Sequence, residues 1–403
     1  MMMFSGAEYL LIDAANAFGL DKETFDKRLG WARANFNQLE RFIEEADEPL
    51  LYLKAVQTIR AVQRGEATGH LVELDATTSG IQFMSALVGC PTGAKWTNLV
   101  DNSKRYDAYT ESFNSLKTYL TKTTKEVSRA MAKDALMTSF YGSAAEPEKV
   151  FGRDTNELDA FYTMCERRLK GCWELRNDLI GLWNPYVDDH SWTLPDNYRA
   201  YVPVKVKRKI ECEIDELGHK FTHVYESFEG TESGVSLAAN VIHSIDGYMV
   251  REVSRRVNYN QDELTRTVRF IQKALEHRDT SDVELDLSMP MSVVWASKLG
   301  AAHQFAAMDT SSLLRLESIL LEMQLHEPAE VVCIHDAFKG HANHCNTIRY
   351  WYKEILAELA ESDLLSHIFS EISGQEEEYE NVRGGYIKTE MAALIRQSEY
   401  AIC

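Results

Sequence analysis

The chain has 403 residues, 45% of them hydrophobic, enough for two or three ordinary domains or one large multi-lobed body. A formal net charge of -19 argues, taken alone, against nucleic acid; a locally basic cleft on an acidic body escapes that argument, and metal-dependent nucleic-acid enzymes need acids too. The seven cysteines include no CxxC pair and are irregularly spaced, a poor disulfide framework that reads as reduced thiols, and no run of about eighteen apolar residues suggests a membrane span or signal peptide.

In chain order, residues 7 to 65 carry apolar residues at helical spacing. HLVELD (70–75) alternates and stops at a carboxylate, which predicts a short strand ending in a site. Ser79 and Gln82 fit a capping box that opens a helix through Leu87. Residues 105 to 185 are again helical in pattern. The stretch 200–228 alternates on either side of DELG and predicts a long β-hairpin turning near Glu216 to Gly218. VDDH (187–190) reads as a solvated turn. Helices are expected at 235–257 and 261–277, and AEVVCIHDAF (329–338) as a buried strand interrupted by His-Asp. Helices close the chain after an acidic break at Glu376 to Glu380 and a turn at Gly384 and Gly385. This order predicts a mostly helical α+β fold whose small antiparallel sheet gathers distant acids, not a doubly wound sheet.

The chemistry starts with Asp75 and Asp336, each set beside an apolar strand run. A charge there is costly unless paired or bound to metal. On neighbouring strands the pair would make a hard-oxygen site for two Mg²⁺ ions, as in-line phosphoryl transfer requires. In RAMAKDALMTSFYGS (129–143), Arg129, Lys133, Met137 and Tyr141 recur every fourth residue on one helical face. Two cations, then Met, then an aromatic suit a triphosphate with base and sugar beyond it.

These segments resemble the T-odd phage and mitochondrial single-subunit RNA polymerases. LDATTSGIQFMSALVG is similar to their first palm motif, 129–143 to their fingers motif, IHDAF to their HDSFG, and NVIHSIDGYMVREV (240–253) to N-x-x-HSxDGxxxR. The resemblance implies a right-hand polymerase: residues 1–105 as the first part of the palm, 106–200 as fingers, 201–234 as a promoter-reading hairpin matched by placement alone, and 235–403 as the end of the fingers, the rest of the palm and a C-terminal foot. It implies that Asp75, Asp336 and the Ala76 carbonyl hold the two Mg²⁺ ions. Arg129, Lys133 and Lys22 would bind the triphosphate, with Lys133 as acid for the leaving pyrophosphate. Tyr141 and His243 would sense the ribose 2′-hydroxyl, Met137 and Gly142 would shape the base site, and Tyr109 with Gly142 would meet the template. Departures from the family pattern are Ala76 for glycine, Phe83 for histidine, Ala337 for serine and Lys339 for glycine; Ala76 bears on the backbone beside Asp75.

Family A DNA polymerases share this palm and helix. They carry a glutamate five residues after the first metal aspartate, where this chain has Gly80, and an aromatic where it has Met137. Both differences favour ribonucleotides. A non-catalytic scaffold would have lost Asp75, Asp336 or Lys133. Single-chain members are far longer, so the chain is either a fragment or one part of a two-polypeptide enzyme; the second, of the N-four-like phage type, is expected, working in the cytoplasm of an infected bacterium on DNA template, nascent RNA and rNTPs. A partner chain would supply the N-terminal domain and thumb, and a single-stranded-DNA-binding recruiter would aid promoter opening. Lys205, Lys207, Arg208 and Lys209 are candidates for DNA-backbone contact. His335, His341, His344 and Cys345 fit no structural zinc spacing well. At Cys403 the foot resemblance gives weight to the carboxylate over the sulfur.

Overall fold

The computed structural model describes residues 1–120, 126–227 and 234–403. Parts of the 106–200 and 201–234 units, residues 121–125 and 228–233, lie outside them. The fold is mostly helical with small antiparallel sheets, as the patterning predicts.

Ser5 caps the first helix, Gly6–Ala15, in a capping box with Glu8. That helix packs on Phe25–Ala34 and Pro49–Gln63, and buries Tyr9, Ile12 and Ala14 among them. Strand β1 (Leu71–Asp75) follows, with Val72 and Leu74 buried 1% and 2% exposed and the alternate side chains turned to the cleft. The helix Ser79–Val88 is buried along its length. Its cap differs from the expectation: Thr78 holds the N-cap in the left-handed region (φ 54, ψ 63) and no side chain caps the helix. Gln82 instead donates to the carbonyls of Thr97 (3.0 Å) and Ala401 (2.9 Å) and accepts from Tyr352 Oη (2.5 Å). A long-range network thus outcompetes the local cap.

Helices Ala108–Lys117, Arg129–Ser139, Ala145–Phe151, Asn156–Arg168 and Lys170–Gly181 build the next lobe. The solvated turn expected at 187–190 is instead the entry to β2 (Asp189–Thr193), paired antiparallel with β3 (Arg199–Pro203). Trp192 is buried there and its indole donates to Ser244 Oγ at 2.9 Å, so packing sets this strand.

The predicted hairpin is β4 (Val206–Ile214) and β5 (His219–Ser227), turning through Gly218 at φ 58. Its register puts Arg208, Ile210, Cys212, Tyr225, His223 and Phe221 on one face and Lys207, Lys209, Val224 and Lys220 on the other. The basic residues are therefore divided between two faces. Nearly every side chain of the ribbon is exposed, so it adds little to the core. Replacing Val206–Ser227 by a short Gly-Ser linker is expected to move the melting temperature by only a few degrees in calorimetry; a fall beyond about 10 °C would show that the ribbon packs.

The helix Val235–Val257 runs through the centre, against Ser79–Val88, Lys170–Gly181 and Cys345–Glu361. Strands β6 (Val331–Ile334) and β7 (Ala337–His341) form a hairpin, and the sheet order is β1-β7-β6. The buried strand expected at 329–338 is thus two strands with His335 and Asp336 in the turn, and β6 is an edge with Val332 and Ile334 about half exposed at 47% and 50%. On the other edge of β1, Cys403 and Asp75 exchange backbone hydrogen bonds (3.1 and 3.3 Å) and Thr77 donates to Ala401 (3.4 Å). Residues 401–403 therefore extend the sheet. Phe338 meets Tyr352 edge-on at 5.7 Å beneath it.

Candidate active site

The register Asp75↔Ala337 sets Asp336, one residue earlier in the turn, at the same end of the ladder as Asp75. His335 in that turn has φ 54, a conformation a hairpin turn of this length favours. Both aspartates line a pocket of about 160 Å³ with Lys22, Ala76, Arg105, Asp107 and Tyr109. Surrounding protein pushes the Asp75 carboxyl up to about 6, the charges of Asp336 and Glu73 add to this, and Lys22 and Arg105 oppose it. Like charges held together without enough countercharge are what a divalent cation relieves. The donor set is all oxygen, which suits Mg²⁺, an ion that takes one or two carboxylates and fills its shell with water and substrate phosphate. No backbone hydrogen bond among the described residues uses the Ala76 carbonyl beside them. Among the described residues no three His, Cys, Asp or Glu side chains converge as metal ligands.

The basic helix is linked to the pocket through Asp107, which Arg129 holds. Ser128 caps it by accepting from the Met131 amide, and it ends at Ser139, shorter than the single helix expected over 129–143. Arg129 is tied to Asp107 and donates to Thr110 Oγ1 at 2.8 Å. Burial raises the Asp107 carboxyl, but Thr110 and Arg129 outweigh it and hold the group low. Lys133 is exposed, its ammonium 5.5 Å from the Tyr109 ring centre. Met137 is exposed at 47%. Tyr141 and Gly142 lie in the turn beyond the helix, Gly142 at φ 95. Leaving the helix carries Tyr141 off the stripe and onto Gly80: a Cβ at Gly80 would sit 2.7 Å from Tyr141 Cζ.

Tyr141 lies against His243, ring centres 4.6 Å apart and planes tilted by 47°, and with Ser79, Asp246, His335 and Asp336 they line a second pocket of about 430 Å³. Burial, then the Asp246 charge, pushes the Tyr141 phenol up to about 12, against a nearby Ser79 hydroxyl. Burial lowers His243, favouring neutral imidazole. Burial and then Asp336 raise Asp246 to about 7, with His335 opposing. A third cavity of about 550 Å³ shares Lys22, Asp75 and Arg105 with the first and is lined further by the acids Asp13, Asp21, Asp47, Glu48 and Glu73 and by Lys54, His70, Lys339 and Cys403, so that carboxylates outnumber cations around it. Lys22 pairs with Asp21 at 2.6 Å, and His70 Nε2 lies 2.7 Å from Asp13.

The structure thus brings together Asp75, Asp336, Ala76, Lys22 and Tyr109 around one pocket and Tyr141 with His243 around its neighbour. Arg129, Lys133, Met137 and Gly142 line neither pocket, though Arg129 joins the first through Asp107. Sequence reasoning missed Arg105, Asp246, His335 and Ser79. Asp246 stands three residues after His243 on one helix face, a spacing that could have flagged it.

Residues 3–150 match the family model described as DNA-dependent RNA polymerase. A probable DNA-directed RNA polymerase of Neurospora crassa is 32% identical over 158 residues, covering 34% of this chain and 18% of that protein. The DNA-directed RNA polymerase of Pseudomonas phage phiKMV is 29% identical over 111 residues, 24% of this chain and 14% of that protein. The matches span less than a fifth of either relative's length. Over the region that holds Lys22, Asp75, Arg129 and Lys133, this chain is similar to DNA-directed RNA polymerases.

Proposed function

We propose that this chain is the catalytic part of a DNA-dependent RNA polymerase, joining rNTPs to an RNA 3′ end with release of pyrophosphate. The observation that carries the reading is the meeting of Asp75 and Asp336 at one end of the β1-β7 ladder, in a pocket lined by Lys22 and Arg105. Asp75, Asp336 and the Ala76 carbonyl would hold two Mg²⁺ ions. Bound there, these supply charge that offsets the triphosphate and acidifies the attacking 3′-hydroxyl. Lys22, Arg129 and Lys133 bind the triphosphate, Arg129 exchanging Asp107 for phosphate. Lys133, exposed beside the Tyr109 ring, delivers a proton to the departing pyrophosphate. Tyr141 and His243 face the ribose, and Tyr141 takes its place there by packing on Gly80, where any side chain would displace it. Met137 and Gly142 border the base, and Tyr109 with Gly142 the template.

In the same reading, residues 1–105 and 235–403 form the palm and 106–200 the fingers of a right hand, and 201–234 reaches toward DNA. A second polypeptide completes the promoter-binding domain and thumb, a single-stranded-DNA-binding recruiter assists, and the enzyme transcribes phage genes in the infected host's cytoplasm. The test is extension of an RNA primer on a single-stranded DNA template with Mg²⁺, rNTPs against dNTPs. Preferred use of rNTPs supports the reading; preferred use of dNTPs replaces it with a family A DNA polymerase. Tyr141→Phe removes one hydroxyl from the ribose side, and is expected to narrow rNTP over dNTP discrimination by up to about tenfold, the worth of one hydrogen bond. Unchanged discrimination would remove Tyr141 from sugar selection.

A further inference from the structure

Arg105 was not among the residues expected from sequence, yet it lines both the pocket of the two aspartates and the 550 Å³ cavity on the far side of Asp75. Its Nε donates to Cys403 Sγ at 3.1 Å. That sulfur is itself fixed: Arg28 Nη2 lies 3.8 Å away, and Arg28, fully buried, is anchored to the carbonyls of Glu23 and Asp21 (both 2.9 Å) and to Asn16 Oδ1 (3.0 Å). The backbone of Cys403 is paired with Asp75. The guanidinium is thus held by its inner nitrogen at a set distance from the metal-site strand. Neighbouring cations are already engaged: Lys22 with Asp21, Arg129 with Asp107, Lys339 with Glu73 at 2.5 Å. The terminal nitrogens of Arg105 have no hydrogen-bond or ion-pair partner among the described residues. A guanidinium fork with its outer donors open, bordering the pocket of the two aspartates, suits a phosphate.

We propose that Arg105 is a polyphosphate-binding residue, gripping the nucleotide triphosphate and then the pyrophosphate at the pocket of the two aspartates, with Cys403 Sγ as its positioning group. This rests on the polymerase reading for the ligand, but its test does not. The sulfur accepts from Nε alone and so leaves the outer nitrogens of the fork for phosphate.

The test is calorimetric binding of inorganic pyrophosphate, with Mg²⁺, to the purified full chain and to Arg105→Gln, Arg105→Lys, Cys403→Ala and Cys403→Ser, each checked for an unchanged melting temperature. Arg105→Gln is expected to weaken binding about tenfold or more, and Arg105→Lys nearly as much, since lysine lacks the fork. Cys403→Ala is expected to weaken it less, and Cys403→Ser, which keeps an acceptor, to restore it. In the extension assay Arg105→Gln should raise KM for rNTPs by more than it lowers kcat. Pyrophosphate affinity unchanged in Arg105→Gln, or no binding by the parent chain, overturns the assignment. A lowered melting temperature with affinity unchanged also overturns it and leaves Arg105 as a strut for residues 401–403. Arg105-dependent pyrophosphate binding in a chain that extends no primer would sustain the site and remove only the polymerase reading.

Discussion

Replacing Asp336 by alanine is expected to abolish templated RNA extension, by roughly 10³-fold or more, because the charge lost is worth several kcal/mol where triphosphate charge must be offset. The fold should not suffer. Asp336 sits in the β6–β7 turn, only partly buried, and its charge pushes the Asp75 carboxyl up. Removing it relieves a repulsion, so the Mg²⁺-free variant is expected to melt at or above the parent. The two proteins should also differ in their response to the ion. Mg²⁺ that binds only the folded state raises the parent's melting temperature, and the variant should lose that rise. A variant that extends primers within a few-fold of the parent would remove the two-aspartate site.

Arg256→Ala is expected to destabilise the fold by about 3–5 kcal/mol, read by chemical denaturation. Arg256 is fully buried, donating to Glu252 at 3.1 Å, to both oxygens of Glu358 at 2.6 and 2.8 Å, and to the Met291 carbonyl at 2.9 Å. Burial works against its charge, but Glu358 and Glu252 outweigh it, so it stays a cation. Glu252 is equally buried and accepts from Ser292 Oγ (2.6 Å) and the Val293 amide (2.8 Å). Truncating Arg256 strands carboxylates in the interior, where an unpaired charge is most expensive. Replacing Arg256, Glu252 and Glu358 together by apolar residues of similar volume should therefore cost less than the single change. The network clamps Val235–Val257, which carries His243 and Asp246, to Cys345–Glu361 beneath the sheet. Activity should fall in step with stability. A loss under about 1 kcal/mol would show that water or rearranged partners satisfy the acids.

Much of this was legible locally. The alternation of HLVELD gave β1 and its terminal aspartate, and the long apolar periodicity at 235–257 gave the central helix, because burial on one face writes itself into neighbouring residues. The DELG turn located the hairpin for the same reason. What failed were features decided at a distance. Gln82 has the spacing of a capping partner, yet three groups far along the chain claim it. His190 was read as loop after a proline, while burial of Trp192 against Ser244 makes the segment a strand. Tyr141 keeps the four-residue rhythm of the stripe but leaves the helix at Phe140, which is how it reaches Gly80. The Arg105–Cys403 pair joins residues 298 positions apart, beyond any local pattern. Asp246 was the exception, within reach of the helical spacing and passed over in favour of His243.

The pairing of residues 401–403 on β1 ties one edge of the Asp75 strand to a segment far along the chain. Strand and helices can each form from nearby residues, but the edge of β1 is closed, and Arg105 given its sulfur, only when residues 298 positions apart have met. Damage to residues 401–403 would therefore be felt at the Asp75 end of the sheet while the earlier helices keep their own packing.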